Sequence, residues 1–246
     1  MKKYFKNKIA FVTGASGDIG LAITKELISN GAKVILQTKK GNEKFRKFCK
    51  NNSANILEII KFDLLKSDNM EKIIKKKLYN KKFKINFLIN SAGFAAGSIF
   101  EMTSISEMKK IFDINFFSQL RLIQLILRFM KNLNNASICN IGSISGLDPY
   151  RGSLSYGASK SAIMFATKIL SKELAPYNIR VNSVAPGVVS SKMADMMDKQ
   201  VRERMVKKSI LKRELKPSEV AKKILYLCSD EAKKVNGQIL KIDRNL

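Results

Sequence analysis

Short apolar runs rich in β-branched residues recur along this chain, and each is followed by a segment with apolar residues at three- and four-residue steps. The first pattern predicts strands and the second predicts amphipathic helices. The seven predicted strands are IAFVTG, KVILQT, NILEIIKF, INFLINSAG, ASICNIGS, IRVNSVAPG and GQILKI. The six predicted helices between them cover residues 19–30, 42–51, 67–79, 104–132, 155–175 and 218–229.

This alternation predicts an α/β fold, because parallel strands need a crossover connection and a helix supplies it. We therefore expect a Rossmann-type, doubly wound parallel sheet of about seven strands with helices on both faces. At 246 residues, with no linker-like stretch, the chain is expected to be a single domain. In such sheets ligands bind beyond the carboxyl ends of the strands, so the residues after each apolar run are candidate site residues.

The amino-acid composition bears on whether the chain binds nucleic acid, forms disulfides or holds zinc. Lys and Arg number 46 against 20 Asp and Glu, a formal charge of 46 − 20 = +26, which attracts polyanions. The lysines are spread along the chain and are not grouped with aromatic residues, so we interpret them as a solvated surface and expect no nucleic-acid partner. With three cysteines and no histidine, neither a disulfide framework nor a zinc site is expected.

The first residues, MKKYFKNKIAFVTG, contain an apolar run too short for a signal peptide or a membrane span. We therefore expect a cytoplasmic protein with no membrane contact.

A glycine-rich turn follows the first strand and leads directly into a helix. The residues are Thr13 to Gly20, TGASGDIG. Glycines let the backbone approach a pyrophosphate closely, and the N–H groups at a helix N-terminus bind it. The turn predicts a dinucleotide phosphate site, although a glycine-rich turn alone would also suit an ordinary loop.

Tyr156 and Lys160 are four residues apart on a predicted helix, and Ser143 follows another strand. A spacing of four places both side chains on one helical face. An ammonium close to a phenol favours the phenolate, so we expect Lys160 to lower the pKa of Tyr156 and to make it a usable general acid or base. Alone, this spacing would also fit a helix start with an exposed lysine.

Together these motifs resemble the short-chain dehydrogenase/reductase family over nearly the whole chain, with similarity to its 3-oxoacyl-[acyl-carrier-protein] reductases. The matching residues are TGASGDIG after strand one, Asp63 after strand three, Asn90-Ser91-Ala92-Gly93 after strand four, Asn115 in the long helix, Ser143, Tyr156 with Lys160, and Pro186-Gly187 after strand six.

The resemblance implies an enzyme that moves a hydride between a nicotinamide coenzyme and a carbonyl or alcohol. It implies that Tyr156 transfers the proton, that Ser143 hydrogen-bonds the substrate oxygen, and that Asn115 positions a water linking Lys160 to solvent. The implied coenzyme contacts are Gly14, Ala15, Ser16, Asp18, Ile19 and Gly20 at the phosphates, Asp63 and Leu64 at adenine, Asn90, Ala92 and Gly93 at the adjacent ribose, Tyr156 and Lys160 at the nicotinamide ribose, and Pro186, Gly187, Val189 and Ser191 around the nicotinamide and phosphate.

The coenzyme choice is expected to depend on the residues after strand two, VILQTKK. An acidic residue there would bind the ribose of NAD, whereas a cation accommodates the 2′-phosphate of NADP. Since no acid occurs before Glu43, we expect NADP(H) to be favoured over NAD(H), with Lys39 as the phosphate contact and Thr38 as a helper. Lys39 and Lys40 could equally continue the basic surface.

Asp18 departs from the family pattern because it occupies a usual glycine position, which brings a carboxylate close to two phosphates. We expect the change to be tolerated, with Asp18 acting as the helix N-cap.

Residues 188–217 lie where the family has its substrate lid. They include Met193, Met196, Met197 and Met205. Methionines adapt to varied apolar shapes, so a lipophilic acyl chain is one expected substrate, although helix packing explains the same residues.

The first hypothesis is thus an NADPH-dependent ketone reductase, with a 3-oxoacyl thioester as the leading substrate. A sugar or other polysaccharide-precursor carbonyl, a steroid-like ketone and a small alcohol remain alternative substrates.

We expect a homo-oligomer, a tetramer, formed through residues 104–132 and 155–175. The apolar residues expected to face outward there are Phe116, Phe117, Leu120 and Phe165. The alternative hypothesis is a non-enzymatic function, in which the chain is a catalytically silent coenzyme-binding scaffold or a nucleic-acid binder.

Overall fold

The computed structural model describes residues 4–242, which form a seven-stranded parallel sheet with helices on both faces. The strands are β1 Ile9–Val12, β2 Lys33–Thr38, β3 Ile56–Lys61, β4 Phe87–Asn90, β5 Ala136–Ile141, β6 Ile179–Pro186 and β7 Ile239–Ile242. The helices are α1 Asp18–Ser29, α2 Glu43–Asn51, α3 Ser67–Leu78, α4 Ile105–Phe112, α5 Ser118–Ile126, α6 Leu154–Glu173, α7 Lys192–Asp195, α8 Lys199–Lys208 and α9 Pro217–Cys228. The expected fold class and the seven predicted strands are confirmed.

The strand order is β3-β2-β1-β4-β5-β6-β7, and every adjacent pair is parallel. The chain winds outward from β1 in one direction and then from β4 in the other. The connection that leaves β1 and the connection that leaves β4 therefore run in opposite directions. A crevice opens between them at the carboxyl ends of these two strands.

Two apolar clusters cover the two faces of the sheet. One contains Leu27 of α1 and Ile224 of α9, and the other contains Ile74 of α3 and Leu122 of α5. Because both faces of the sheet are covered, the strands are nearly continuous apolar runs in the sequence. No helix in residues 4–242 is both long enough and apolar enough to cross a membrane.

Helices α7 and α8 after β6 were not predicted, and the helix predicted over residues 104–132 is not continuous. It is divided into α4, a π-helical segment Asp113–Phe117, α5 and a short 3-10 turn Leu127–Phe129. The π segment widens the backbone by one residue where Asn115 turns into the core. π segments in α-helices frequently occur at functional sites, and apolar periodicity does not predict them.

Candidate active site

The turn between β1 and α1 requires glycine at two positions. Gly14 has φ +59°, and a Cβ there would lie 2.7 Å from Ala92 Cα. A Cβ on Gly20 would lie 2.2 Å from the Gly14 carbonyl oxygen. The first turn of α1 therefore packs directly against the glycine turn. Its N–H groups, which lack partners within the helix, suit a phosphate.

Gln37, at the end of β2, fixes this turn. Its Oε1 accepts a hydrogen bond from Gly14 N at 3.0 Å, and its Nε2 donates to Phe62 O at 2.9 Å. Beside it, the Ser16 and Thr38 hydroxyls are 2.7 Å apart. The sequence analysis missed Gln37, although a polar residue inside a buried run such as VILQT is a usable signal.

Asp18 is the first residue of α1, and Gly17 occupies the N-cap position. The expectation that Asp18 acts as the N-cap is therefore wrong. Its Oδ2 instead accepts a hydrogen bond of 2.9 Å from the backbone N–H of Lys192, the first residue of α7. Asp18 thus joins the dinucleotide-type turn to the segment that follows β6.

The two residues expected at the adenosine end of the coenzyme contact each other. Lys39 Nζ lies 2.8 Å from Asp63 Oδ2, and this bond holds the pKa of the Asp63 carboxyl below its ordinary value. Lys39 is 71% exposed. Exposed ion pairs contribute about 1 kcal/mol or less, so an incoming phosphate can compete for this ammonium.

Asn90 ends β4 in a fully buried position. Its Nδ2 donates to Asn140 Oδ1 at 2.8 Å, and Asn140 Nδ2 donates to Thr167 Oγ1 at 2.9 Å. The Asn90 Oδ1 atom has no hydrogen-bond partner in the described part of the chain. A buried unpaired acceptor is costly, and a ribose hydroxyl is a donor that would satisfy it.

The two hydroxyls expected to act on substrate border one cavity of about 320 Å³. Ser143 Oγ accepts the N–H of Ser145 at 3.1 Å, so its own proton is available to another acceptor. Burial raises the pKa of Tyr156 to about 12, and a hydrogen bond with Ser143 partly opposes this rise. Tyr156 is therefore a phenol, not a phenolate, at neutral pH.

Lys160 lies in the protein interior with 4% of its surface exposed. Its Nζ donates to Ile141 O at 2.7 Å and lies 5.7 Å from the Tyr156 ring centroid. Burial lowers the pKa of Lys160 to about 8. The prediction that Lys160 lowers the pKa of Tyr156 is wrong in this structure. Desolvation raises this pKa by more than the hydrogen bond from Ser143 lowers it. The Lys160 ammonium donates to the Ile141 carbonyl instead of to the phenol.

Asn115 is fully buried and uses its amide to hold a neighbouring loop. Oδ1 accepts from Phe94 N at 2.9 Å, and Nδ2 donates to Phe94 O and Ser159 Oγ at 2.8 and 3.0 Å. A Cβ on Gly93 would lie 3.4 Å from both Asn115 Oδ1 and Lys160 Nζ. Glycine at 93 therefore leaves free space beside the buried ammonium.

The segment after β6 closes the cavity from the opposite side. Its two ends are joined, since Ser190 N donates to Leu215 O at 2.9 Å and Leu215 N donates to Val188 O at 2.8 Å. Ser191 caps α7 by accepting from Ala194 N at 3.3 Å. The residues of this segment that line the cavity are Val188, Val189, Ser191, Met193, Ala194, Met196, Met197, Asp198, Val201 and Met205.

The structure thus groups the expected residues in three places. Ser143, Tyr156, Pro186, Gly187, Val189, Ser191 and Ile19 line one cavity, with Lys160 and Asn115 buried behind it. The glycine turn and Asn90 lie at the crevice, and Lys39 with Asp63 lies past the end of β2. The close backbone approach at Gly14 and the unpaired Asn90 Oδ1 both fit a dinucleotide laid across the crevice.

Sequence reasoning also missed two residues of the cavity wall, Tyr150 and Arg151. They precede α6 in a turn held by Ser153, whose Oγ donates to Tyr150 O at 2.6 Å. Neither belongs to a periodic pattern or to a motif, so the sequence contained no signal for them.

Comparison with known proteins agrees with this geometry. A family model described as enoyl-(acyl carrier protein) reductase matches residues 14–244. The chain is 30% identical over 243 residues to the 3-oxoacyl-[acyl-carrier-protein] reductase FabG of Thermotoga maritima, and the match covers 98% of both proteins. It is 29% identical over 243 residues to the acetoacetyl-CoA reductase of an Acinetobacter species, again with 98% of both covered.

Among solved structures, the chain is similar to a short-chain dehydrogenase/reductase described as glucose/ribitol dehydrogenase from Brucella melitensis. The TM-score is 0.85 at 30% identity, with 98% of this chain and 97% of that chain covered.

The buried ammonium leads to a stability prediction for Lys160→Met. The folded-state pKa of about 8 lies below the ordinary 10.5, so the folded protein binds fewer protons than the unfolded one between these values. Wild-type stability should therefore rise with pH across this window. Below pH 8 the variant should be more stable by a few kcal/mol, on the order of that pKa difference, and the gain should shrink toward pH 10.5.

Thermal unfolding between pH 6.5 and 10.5 measures this difference. Lys168→Met, at an exposed position of the same helix, controls for the loss of any lysine from α6. A variant less stable than wild type at pH 7 would contradict the prediction.

Proposed function

We propose that this chain, which belongs to the short-chain dehydrogenase/reductase family, is an NADPH-dependent ketone reductase in which Tyr156 is the proton donor. The observation that supports the proposal is the meeting of the Ser143 and Tyr156 hydroxyls on one wall of a cavity, with the Lys160 ammonium buried behind them. When bound, the coenzyme supplies the hydride that reduces the carbonyl carbon.

Tyr156 and Ser143 act on the substrate oxygen in this proposal. The phenol stays protonated at neutral pH because its pKa is about 12, so it has a proton to give as negative charge develops on the oxygen. Ser143 directs its own proton to the same oxygen, since its lone pair already accepts from Ser145 N. Two donors aimed at a developing oxyanion lower the barrier of the reaction.

Lys160 returns the proton to Tyr156. With a pKa of about 8 it exchanges protons readily near neutral pH. Both N–H groups of the Asn115 amide are already used by Phe94 O and Ser159 Oγ. An oxygen of Asn115 is therefore the group that would hold the relay water.

The coenzyme is held along the crevice. The N–H groups of Asp18, Ile19 and Gly20 bind the pyrophosphate, and the turn residues Gly14, Ala15 and Ser16 let it approach. Asn90 Oδ1, with Ala92 and Gly93, accepts the adenosine ribose, and Asp63 and Leu64 flank adenine. Pro186, Gly187, Val189 and Ser191 bound the nicotinamide, whose ribose Tyr156 and Lys160 hold.

A 3-oxoacyl thioester is the proposed substrate, because Met193, Met196, Met197 and Met205 all line the cavity. Flexible thioethers accommodate an acyl chain better than they accommodate a polyol. The similarity to a dehydrogenase described for glucose and ribitol keeps a sugar carbonyl as the second candidate.

Tyr156→Phe tests the mechanism. The variant should lose ketone reduction by about 100-fold or more, because the general acid is removed, while its Kd for NADPH rises by about tenfold or less, the effect of one lost ribose contact. Tyr150→Phe is the matched control, since it removes a phenol from the same cavity wall. The assay follows NADPH oxidation with 3-oxoacyl thioesters, sugar ketones and simple ketones, and undiminished turnover in Tyr156→Phe would refute the proposal.

Lys39→Ala tests the preference for NADPH. Removing this ammonium should weaken NADPH binding by about tenfold, the effect of one charge-assisted hydrogen bond, and should leave NADH binding unchanged. Fluorescence titration measures both Kd values, and Lys44→Ala, an exposed lysine of α2, is the control. Equal losses for the two coenzymes would show that Lys39 does not contact the 2′-phosphate.

The assembly is proposed to be a tetramer formed through α4, α5 and α6. Phe117 and Phe165 are 56% and 65% exposed, so both side chains are accessible to a second copy of the chain. Phe116 and Leu120, which were expected to face outward with them, are half-buried. Leu120 packs against one of the two core clusters, so it cannot serve the interface fully.

Sedimentation of the wild type at micromolar concentration should give a tetramer, and Phe165→Glu should give smaller species, because a charge would be buried without a partner. Phe100→Glu, at a 70% exposed site outside these helices, should not change the assembly. A wild-type monomer would refute the interface.

A further inference from the structure

We propose that Arg151 binds an anionic group of the substrate, so that the natural substrate is a ketone with a carboxylate or phosphate at the far end from the reacting carbonyl. The inference rests on the proposed function and extends it to substrate specificity. It starts from the charges on the cavity wall.

Arg151 and Asp198 are the two charged residues among those that line the cavity. Asp198 is already engaged, because its Oδ1 accepts from Val201 N at 3.0 Å as the N-cap of α8. Arg151 is exposed, and no hydrogen bond or ion pair of its guanidinium occurs within residues 4–242. The cavity wall therefore carries one carboxylate that is bonded to a backbone N–H and one guanidinium without a partner in the described residues.

Several other arginines in residues 4–242 are engaged with specific groups of this chain. They contact carboxylates, carbonyls or aromatic rings, as seen for Arg121, Arg128, Arg180, Arg202 and Arg213. A guanidinium without such a partner, at the edge of a cavity, is free to bind carboxylate or phosphate with two parallel hydrogen bonds.

The backbone that carries Arg151 is fixed. Gly152 has φ +85°, and its carbonyl accepts from Ser98 N at 3.2 Å, which joins the loop before α6 to the loop after β4. Tyr150 N also donates to Ser153 Oγ at 3.2 Å. Because the turn is held on both sides, Arg151 is presented to the cavity at a defined position.

Distance limits the size of the substrate. Arg151 precedes Tyr156 by five residues, and an extended chain of that length spans at most about 18 Å. The anionic group must therefore lie within roughly this distance of the carbonyl, allowing for the reach of the arginine side chain. Met193, Met196, Met197 and Met205 line the same cavity as Arg151 and Tyr156 and suit an apolar connecting chain.

Two sets of probes distinguish the source of the anion. The first is 4-oxopentanoate, 6-oxoheptanoate and 8-oxononanoate, each with its neutral ethyl ester. The second is acetoacetyl-4′-phosphopantetheine with neutral acetoacetyl-pantetheine. Binding is measured by calorimetry on the full chain with saturating NADP⁺, for wild type, Arg151→Gln and Arg151→Lys. Lys168→Gln, exposed on α6, is the control for lost charge.

Wild type should bind the anionic member of at least one set more tightly than the neutral member. Arg151→Gln should raise the Kd of that anionic member by about tenfold and leave the neutral member within about twofold, and Arg151→Lys should restore part of the loss. A carboxylate effect assigns the anion to the substrate itself, and a phosphate effect assigns it to a carrier arm.

Equal binding of charged and neutral members by wild type, or equal losses for both in Arg151→Gln, would overturn the proposal. Because binding is measured without turnover, this result is separate from the proposed function. That function fails instead if the neutral esters and acetoacetyl-pantetheine bind and are not reduced by NADPH.

Discussion

The contact between two backbone segments, the turn after β1 and the loop after β4, is the constraint on which the site depends. Gly14 at φ +59° leaves no room for a Cβ, since Ala92 Cα would be 2.7 Å away. Ala92 N donates to Thr13 Oγ1 at 2.9 Å, which joins the same two segments. The next residue, Gly93, leaves space beside Lys160 Nζ. The close packing of the Gly14 and Ala92 backbones therefore places the glycine-rich turn and the proposed proton-transfer residues in a single crevice.

The buried ammonium shows how function is favoured over stability. Lys160 has a backbone carbonyl as its partner and no carboxylate, so its charge is poorly compensated and its pKa falls to about 8. A methionine of similar length would avoid this desolvation. In the proposed mechanism, the same low pKa lets Lys160 give and accept a proton near neutral pH. Residues with pKa values moved toward neutrality by burial are typical of active sites.

The sequence predicted the layers of the fold because periodicity reports burial. Candidate residues such as Asn90 and Ser143 were predicted because they end or follow a strand, whereas Asn115, Tyr156 and Lys160 lie in helical segments and were predicted from spacing and family resemblance. The sequence did not predict features set by tertiary contact. The π segment at Asn115 leaves the apolar pattern of the helix nearly unchanged. The Lys39–Asp63 pair joins residues that follow two different strands. The raised pKa of Tyr156 results from desolvation, which a spacing of four residues does not indicate. Arg151 follows no periodicity, and its importance depends on a cavity formed by distant segments.

Selectivity in this chain depends on residues outside the shared motifs. The acidic side chains around the cavity are used internally: Asp18 binds Lys192 N, Asp198 caps α8, and Asp195 and Glu214 hold Arg202. These bonds fix the segment after β6 over an apolar wall, and Arg202 pairs with two of its carboxylates. Although the chain carries a formal charge of +26, the cavity itself is thus mostly apolar. In the proposed specificity Arg151 matters more than the overall charge does, because a cation beside a low-dielectric wall interacts more strongly with an anion than the solvated lysines of the surface do.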